Sequence, residues 1–417
     1  MTVLCACAPS PLRRQALSGD IAGALRSYRS AAQNRGASDP DQLAIVALAV
    51  LEREATANDL RVQRAALTSL RSLGQKGRDA LARLSERDGI LGDRAAAALY
   101  EVDGRDGEPP ARLLEAARST DPERRIAGLV ADEGRGNVLA LIGALESSSS
   151  ELRRAAAQRL ARRRGERAVI DRLAQCVRED PDDSVRAACV LSLGAHGQAA
   201  FDGILPARED RVTFVRMMAI TALVSANRDR AREVLAPMLR EPPNALSIEL
   251  ARALSARGDE AATNYVFDAL AGSDAGLRAQ AAVAASGLGE RHESRLMPFL
   301  EDADVEVRLR VAGALGRAGR RRTEAIAALR PLAASPDPML AIRALLVLSE
   351  CDDAAAAEPV RRALATAAPA IKRLAILAWS HLAGSSGEVD PLADLLVDAD
   401  ATVRVMAAGE IVRIASR

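Results

Sequence analysis

Asp182-Asp183-Ser184-Val185-Arg186-Ala187-Ala188-Cys189-Val190-Leu191-Ser192-Leu193-Gly194 is the stretch that decides the fold. An acidic residue stands four positions before an arginine, where a side-chain oxygen accepts backbone N–H bonds at a helix start. The aliphatic residue just before the arginine, and the Ala and Leu positions after it, fall on one helical face and read as a buried stripe. The closing Gly is a residue that ends helices, because it adopts the left-handed conformation at little cost.

The same phrase recurs as Asp304-Val305-Glu306-Val307-Arg308 closing at Leu315-Gly316, and as Asp274-Ala275-Gly276-Leu277-Arg278 closing at Leu288-Gly289. It recurs again as Asp400-Ala401-Thr402-Val403-Arg404. With the arginine as anchor, equivalent positions are Gln63, Asp93, Arg125, Arg153, Arg186, Arg216, Glu249, Arg278, Arg308, Arg343, Lys372 and Arg404. They repeat about every 31 residues, room for two helices of about 11 residues and two short turns. The second helix shows in Val169-Ile170-Asp171-Arg172-Leu173 and in Leu296-Met297-Pro298-Phe299-Leu300. Pro206, Pro237, Pro298, Pro331 and Pro391 follow their anchors at similar distances. They are expected in the first turn of that second helix, where a missing N–H costs little.

Composition agrees with a helical array. Among 417 residues, aromatics make up 2% and hydrophobic residues 49%, with Ala and Leu prominent, which favours helices over sheets. An array grows without enlarging any single core. The formal net charge is +1, so no global field draws the chain to nucleic acid or anionic lipid. No run of 18 apolar residues is present, so no segment reads as a membrane-crossing helix.

The phrase resembles the HEAT repeat, in the short bacterial form also found in phycobilisome lyases, over residues 56–417. The resemblance implies an all-α fold, a right-handed α-solenoid of about 12 helical hairpins with an aligned inner surface. It also implies a ladder between neighbouring repeats, made by the anchor arginine and the capping aspartate. Arg186, Arg216, Arg278, Arg308 and Arg404 match the one position, and Asp182, Asp274, Asp304 and Asp400 the other. Gln63, Asp93 and Glu249 depart from the pattern, so the ladder is expected to break there.

Residues 12–55 lack the phrase. Gly19 to Tyr28 reads as one amphipathic helix that resembles the first helix of a tetratricopeptide unit, and Asp39 caps a second helix through Leu43, Val46, Leu48 and Leu51. This hairpin is expected to cap an exposed end of the stack. Ahead of it, residues 1–11 form a leader in which Leu4-Cys5-Ala6-Cys7 resembles a bacterial lipobox. The charged and apolar segments that precede such a box in a signal are missing before Leu4. Two alternatives stay open: a lipid on Cys7 that tethers the chain to a membrane of the cell envelope, or an unstructured leader on a cytoplasmic protein.

The search for chemistry yields no enzyme signature. His196, His292 and His381 lie in different repeats and are expected to be solvated or partly packed. No HExxH, P-loop, paired CxxC or Gly-x-Ser-x-Gly occurs. Cysteines 5, 7, 176, 189 and 351 are odd in number and without metal spacing, so no disulfide framework is expected. Cys176, Cys189 and Cys351 read as small buried hydrophobes. No cofactor or metal is implied.

Two basic clusters stand out: Arg153, Arg154, Arg159, Arg162, Arg163, Arg164 and Arg167, and Arg317 with Arg320, Arg321 and Arg322. They are either solvated faces or a docking patch for an acidic protein or a nucleic-acid backbone. The scarcity of aromatics around them argues against base stacking. The expectation is a non-enzymatic scaffold that binds one or more proteins along its concave surface. The alternatives are an envelope-anchored lipoprotein scaffold, a nucleic-acid binder using the Arg153–Arg167 cluster, and a phycobilisome-lyase-like activity.

Overall fold

A computed structural model describes residues 11–105, 107–134, 136–384 and 386–417. The lipobox-like residues, Cys7 included, lie outside them. The described residues form helices and turns with no strand. No helix among them is long and apolar enough to cross a membrane. The fold is an all-α solenoid of paired helices, and it forms two compact units: Met1–Asp106 with Leu329–Arg417, and Gly107–Ala328.

In the second unit the phrase does its expected local work. Asp182 accepts from the N–H groups of Ser184 and Val185 and starts helix Asp183–Ala195. Asp304 accepts from Glu306 and Val307 and starts helix Val305–Ala318. Asp274 caps helix Ala275–Ala285 through the N–H of Leu277. The apolar stripe packs inward: Val185, Leu193, Ile204, Val215 and Leu223 are fully buried in one continuous core.

Two details differ from expectation. Gly194 does not end its helix; it lies inside it, and a Cβ there would stand 3.1 Å from the Cβ of Ala222. Its missing side chain lets helix Thr213–Ala226 approach. The prolines also sit later than the first turn of the second helix. Pro206, Pro237 and Pro298 open 3-10 segments, Leu205–Glu209, Ala236–Leu239 and Met297–Glu301, that finish a helix already begun. A proline cannot donate to the carbonyl four residues back, so the chain tightens at that point. Pro331 lies inside helix Arg322–Ala333, and Pro391 near the start of the 3-10 segment Asp390–Val397.

The first unit brings the two ends of the described chain together. Helix Ala401–Ala415 packs on helices Pro40–Glu54 and Leu60–Ser72. Gly409 lies so close to the second of these that a Cβ would meet the Ser69 hydroxyl at 2.5 Å. The Tyr28 hydroxyl donates to Asp390 Oδ1 at 2.7 Å, and Arg29 pairs with Asp394. Burial and the Asp390 contact push the Tyr28 phenol up to about 12.

Helix Pro40–Glu54, expected to cover a free end, is therefore flanked on two sides and continues a stack that includes the last repeat. The reason lies in its sequence: Leu43, Val46, Ala49, Val50 and Leu51 spread apolar surface over more than one face, and all are buried. No unit boundary falls at residues 55–56.

The cysteines also depart from expectation. Cys176 and Cys189 form a disulfide that ties helix Arg167–Glu179 to helix Asp183–Ala195. Spacing alone hid the pair, because the turn between the two helices brings residues 13 apart in sequence to a Cα separation of 6.3 Å. Cys351 is buried and is not part of this disulfide.

Candidate functional site

The polar signature of the repeat is turned inward, and it holds the repeats to one another. Arg186 donates Nε and Nη2 to the two carboxylate oxygens of Asp210, at 2.7 and 3.0 Å. Its Nη1 donates to the carbonyls of Asp180 and Pro181 in its own turn. Arg153 treats Asp180 in the same way, at 2.7 and 2.9 Å, while its Nη1 meets the carbonyls of Ser147 and Ser148. Arg278 pairs with Asp302 at 3.0 Å through both nitrogens. Arg404 holds Glu54 at 2.9 Å through both, so this contact joins the last repeat to helix Pro40–Glu54. Lys372 makes a single bond of 2.7 Å to Asp398.

The expected ladder between anchor arginine and capping aspartate is thus replaced by a different one. Asp182, Asp274, Asp304 and Asp400 are occupied as N-caps. The rungs end on Asp180, Asp210, Asp302 and Asp398, each two residues before an N-cap position. Each of these carboxylates also accepts the backbone N–H two residues on, from Asp182, Val212, Asp304 and Asp400, which fixes it in the turn. The spacing Asp-x-Asp ahead of the arginine, as in Asp180-Pro181-Asp182 and Asp302-Ala303-Asp304, was the available signal.

The side chains of Arg186 and Asp210 are only 5% and 8% exposed, so the pair is a buried, doubly hydrogen-bonded one. The guanidinium of Arg186 holds the Asp210 carboxyl below its ordinary range, and that of Arg278 does the same for Asp302.

The ladder fails where the anchor changes. Gln63 accepts from Arg94 instead, and Glu249 is bound by Arg252 of its own helix and by the Thr221 hydroxyl. Asp93 is fully buried.

Most of the first basic cluster is consumed within the fold. Arg153 is a buried rung, Arg159 and Arg162 converge on the buried Glu133, and Arg163 donates to the Glu133 carbonyl. Arg167 pairs with Asp171, four residues on. Arg154 and Arg164 are exposed. In the second cluster Arg321 pairs with Glu324, and Arg317, Arg320 and Arg322 are engaged as well.

His196 and His292 are buried rather than solvated, and burial lowers the pKa of each below the usual imidazole value. The Nε2 of His196 lies 3.2 Å from the Leu160 carbonyl, which suits a neutral ring donating there. No group of three or more metal-ligating side chains occurs among the described residues.

A recess of about 350 Å³ lies on the first helices of successive repeats in the second unit. Met217, Ile248, Gly276, Ala279 and Val283 give it apolar surface. Glu249, Arg252, Gln280 and Arg310 place charge and amide groups around it. At Gly276 a Cβ would meet only Asp274 Oδ1, at 3.2 Å, so the space beyond is open. Sequence pattern did not reveal this recess, because small residues on an outward face carry no signal of their own.

A family model described as HEAT repeats matches residues 110–194, 137–223 and 293–380. Those stretches match HEAT repeats. Similar solved structures include the CpcE–CpcF complex of phycocyanin lyase from Nostoc sp. PCC7120, at 20% identity over 65% of this chain and 92% of that one, with a TM-score of 0.31. Importin beta is similar at 13% identity over 86% of this chain and 60% of that one, TM-score 0.37. Human deoxyhypusine hydroxylase is similar at 17% identity over 70% of this chain and 99% of that one, TM-score 0.28. No curated protein sequence matches. All three TM-scores lie below 0.5, and nothing about binding or activity passes from those proteins to this one.

The rungs make the stacked repeats sensitive to acid in a defined way. The folded pKa values of Asp210 and Asp302 lie below the 3.8 of the free group. Their contribution to stability is therefore complete well above pH 3.8 and is lost as pH falls towards the depressed values, over a window from about pH 5 downward. Denaturant titrations at a series of pH values check this. Wild type should weaken across that window. Asp210→Asn should be destabilised at pH 7 by roughly 3 kcal/mol, because Arg186 keeps its buried charge without a partner, and should lose less on acidification. Parallel pH curves for the two proteins would contradict the assignment.

Proposed function

We propose that this chain is a non-enzymatic scaffold that binds a protein partner across the first helices of its HEAT repeats. The observation that carries the reading is the recess spanning Met217, Ile248, Gly276, Gln280 and Arg310, which takes its walls from successive repeats rather than from one. Repeats stacked in register present equivalent helices side by side, and such a surface suits an extended partner. Exposed apolar side chains continue along those helices: Leu191, Phe214 and Val283 are all at least 40% accessible. Of these, the aromatic Phe214 is the type of side chain enriched at protein interfaces, where contacts that exclude water surround the anchors.

The test is affinity capture with crosslinking from cells that make the protein, comparing wild type with Gly276→Trp, which fills the recess. A partner retained by wild type and reduced at least about fivefold by the variant is the expected result. No crosslinked protein, or equal recovery by both forms, would count against the reading.

A second reading puts this scaffold in the bacterial cell envelope. The Cys176–Cys189 disulfide favours it, because such bonds persist in oxidising compartments and are rare where thiols are kept reduced. The lipobox-like Leu4-Cys5-Ala6-Cys7 points the same way. Native protein quenched in acid and alkylated before and after reduction distinguishes the two places. In the envelope, Cys176 and Cys189 take label only after reduction; label on both without reduction contradicts the reading.

A further inference from the structure

The Cys176–Cys189 disulfide joins two successive repeats. Cys176 lies on helix Arg167–Glu179, the second helix of the Arg153 repeat, and Cys189 on helix Asp183–Ala195, the first helix of the Arg186 repeat. Other contacts already hold these helices. The Arg153–Asp180 rung fixes the turn between them, and Leu173, Val177, Val185 and Leu193 pack in the same apolar core. The bond can therefore open while the rung and the core stay in place.

The two sulfurs have unlike surroundings. Cys189 is fully buried, in the middle of its helix. Cys176 keeps 9% of its surface exposed and lines a recess of about 240 Å³, which lies within the unit Gly107–Ala328. Leu145 and Pro181 give the recess apolar surface, and Ser147, Arg172, Gln175 and Glu179 give it polar groups. Thiol–disulfide exchange needs a thiolate that reaches one sulfur from behind, in line with the S–S bond, so access decides which sulfur is attacked.

We propose that the Cys176–Cys189 bond is a thiol-exchange site, opened from this recess by a low-molecular-weight thiol that attacks Cys176 Sγ. The incoming thiolate forms a new S–S bond to Cys176 as the Cys176–Cys189 bond breaks. The bonding electron pair leaves with Cys189 Sγ, which takes up a proton. One small thiol is consumed and one protein thiol appears. Attack by Cys189 on the adduct reverses the step. Attack by a second small thiol on the outer sulfur releases Cys176 as a thiol and oxidises the two small thiols to their disulfide. The thiol level of the surroundings then sets whether these two repeats are covalently tied.

The experiment treats the full, oxidised chain with reduced glutathione in native buffer, traps it with acid and maps adducts by mass spectrometry. Glutathione should sit on Cys176 at least about tenfold more often than on Cys189. Opening should speed up less than about twofold in denaturant kept below the unfolding transition, because the recess is reached without unfolding. Two variants test the same asymmetry without the bond. The Cys176 thiol of Cys189→Ser should react with an aromatic disulfide reagent at least about tenfold faster than the Cys189 thiol of Cys176→Ser. Peptide mapping separates these two sites from the other cysteines, and circular dichroism confirms that both variants remain folded.

A bond that stays closed until denaturant unfolds the chain would overturn the proposal. So would glutathione found on Cys189 as often as on Cys176, or equal reactivity of the two thiols in the variants.

Discussion

The doubly hydrogen-bonded pair between an anchor arginine and the carboxylate of the next repeat is the constraint on which the rest of this structure depends. A helix pair of this length cannot bury its apolar face alone and must stack on a neighbour. Ala-rich faces pack closely but slide easily, because small side chains interdigitate weakly. A buried guanidinium fork has one good register. Arg186 satisfies two carbonyls in its own turn and two carboxylate oxygens in the next, so a displaced repeat would leave several buried polar groups unpaired. The same chemistry appears where helix Ala401–Ala415 meets helix Pro40–Glu54, with Glu54 supplying the carboxylate from a segment that lacks the repeat phrase.

Much of the fold was legible because its signals are local. The N-caps at Asp182, Asp274, Asp304 and Asp400, and the helices that follow them, depend on residues a few positions apart. What was hidden depends on contacts between different helices, from 13 to 350 residues apart in sequence. The rung carboxylates Asp180 and Asp210 look like ordinary turn residues until the previous repeat's arginine is placed beside them. The Cys176–Cys189 bond needed the angle of the turn between two helices. The Arg153–Arg167 cluster read as a solvated face or a docking patch because Glu133, which neutralises Arg159 and Arg162, comes from the preceding repeat. The contact of Glu54 with Arg404 joins residues 350 apart, beyond any local pattern.

This division is consistent with the proposed binding face. Charges near the turns are mostly spent on holding repeats together. The outward face of the first helices keeps small residues, isolated apolar side chains and the Glu249–Arg252 pair. Such a face offers shape and apolar area with little long-range electrostatic steering, consistent with the near-zero net charge.

The central claim is that the arginine–carboxylate rungs energetically couple neighbouring repeats. A double-mutant cycle on Arg186 and Asp210, with Arg186→Ala, Asp210→Ala and the double variant unfolded in denaturant at pH 7, measures that coupling most directly. A coupling energy of about 1.5–3 kcal/mol is predicted for a buried, charge-assisted pair. A value indistinguishable from zero would mean that apolar packing alone sets the register and that the ladder is incidental.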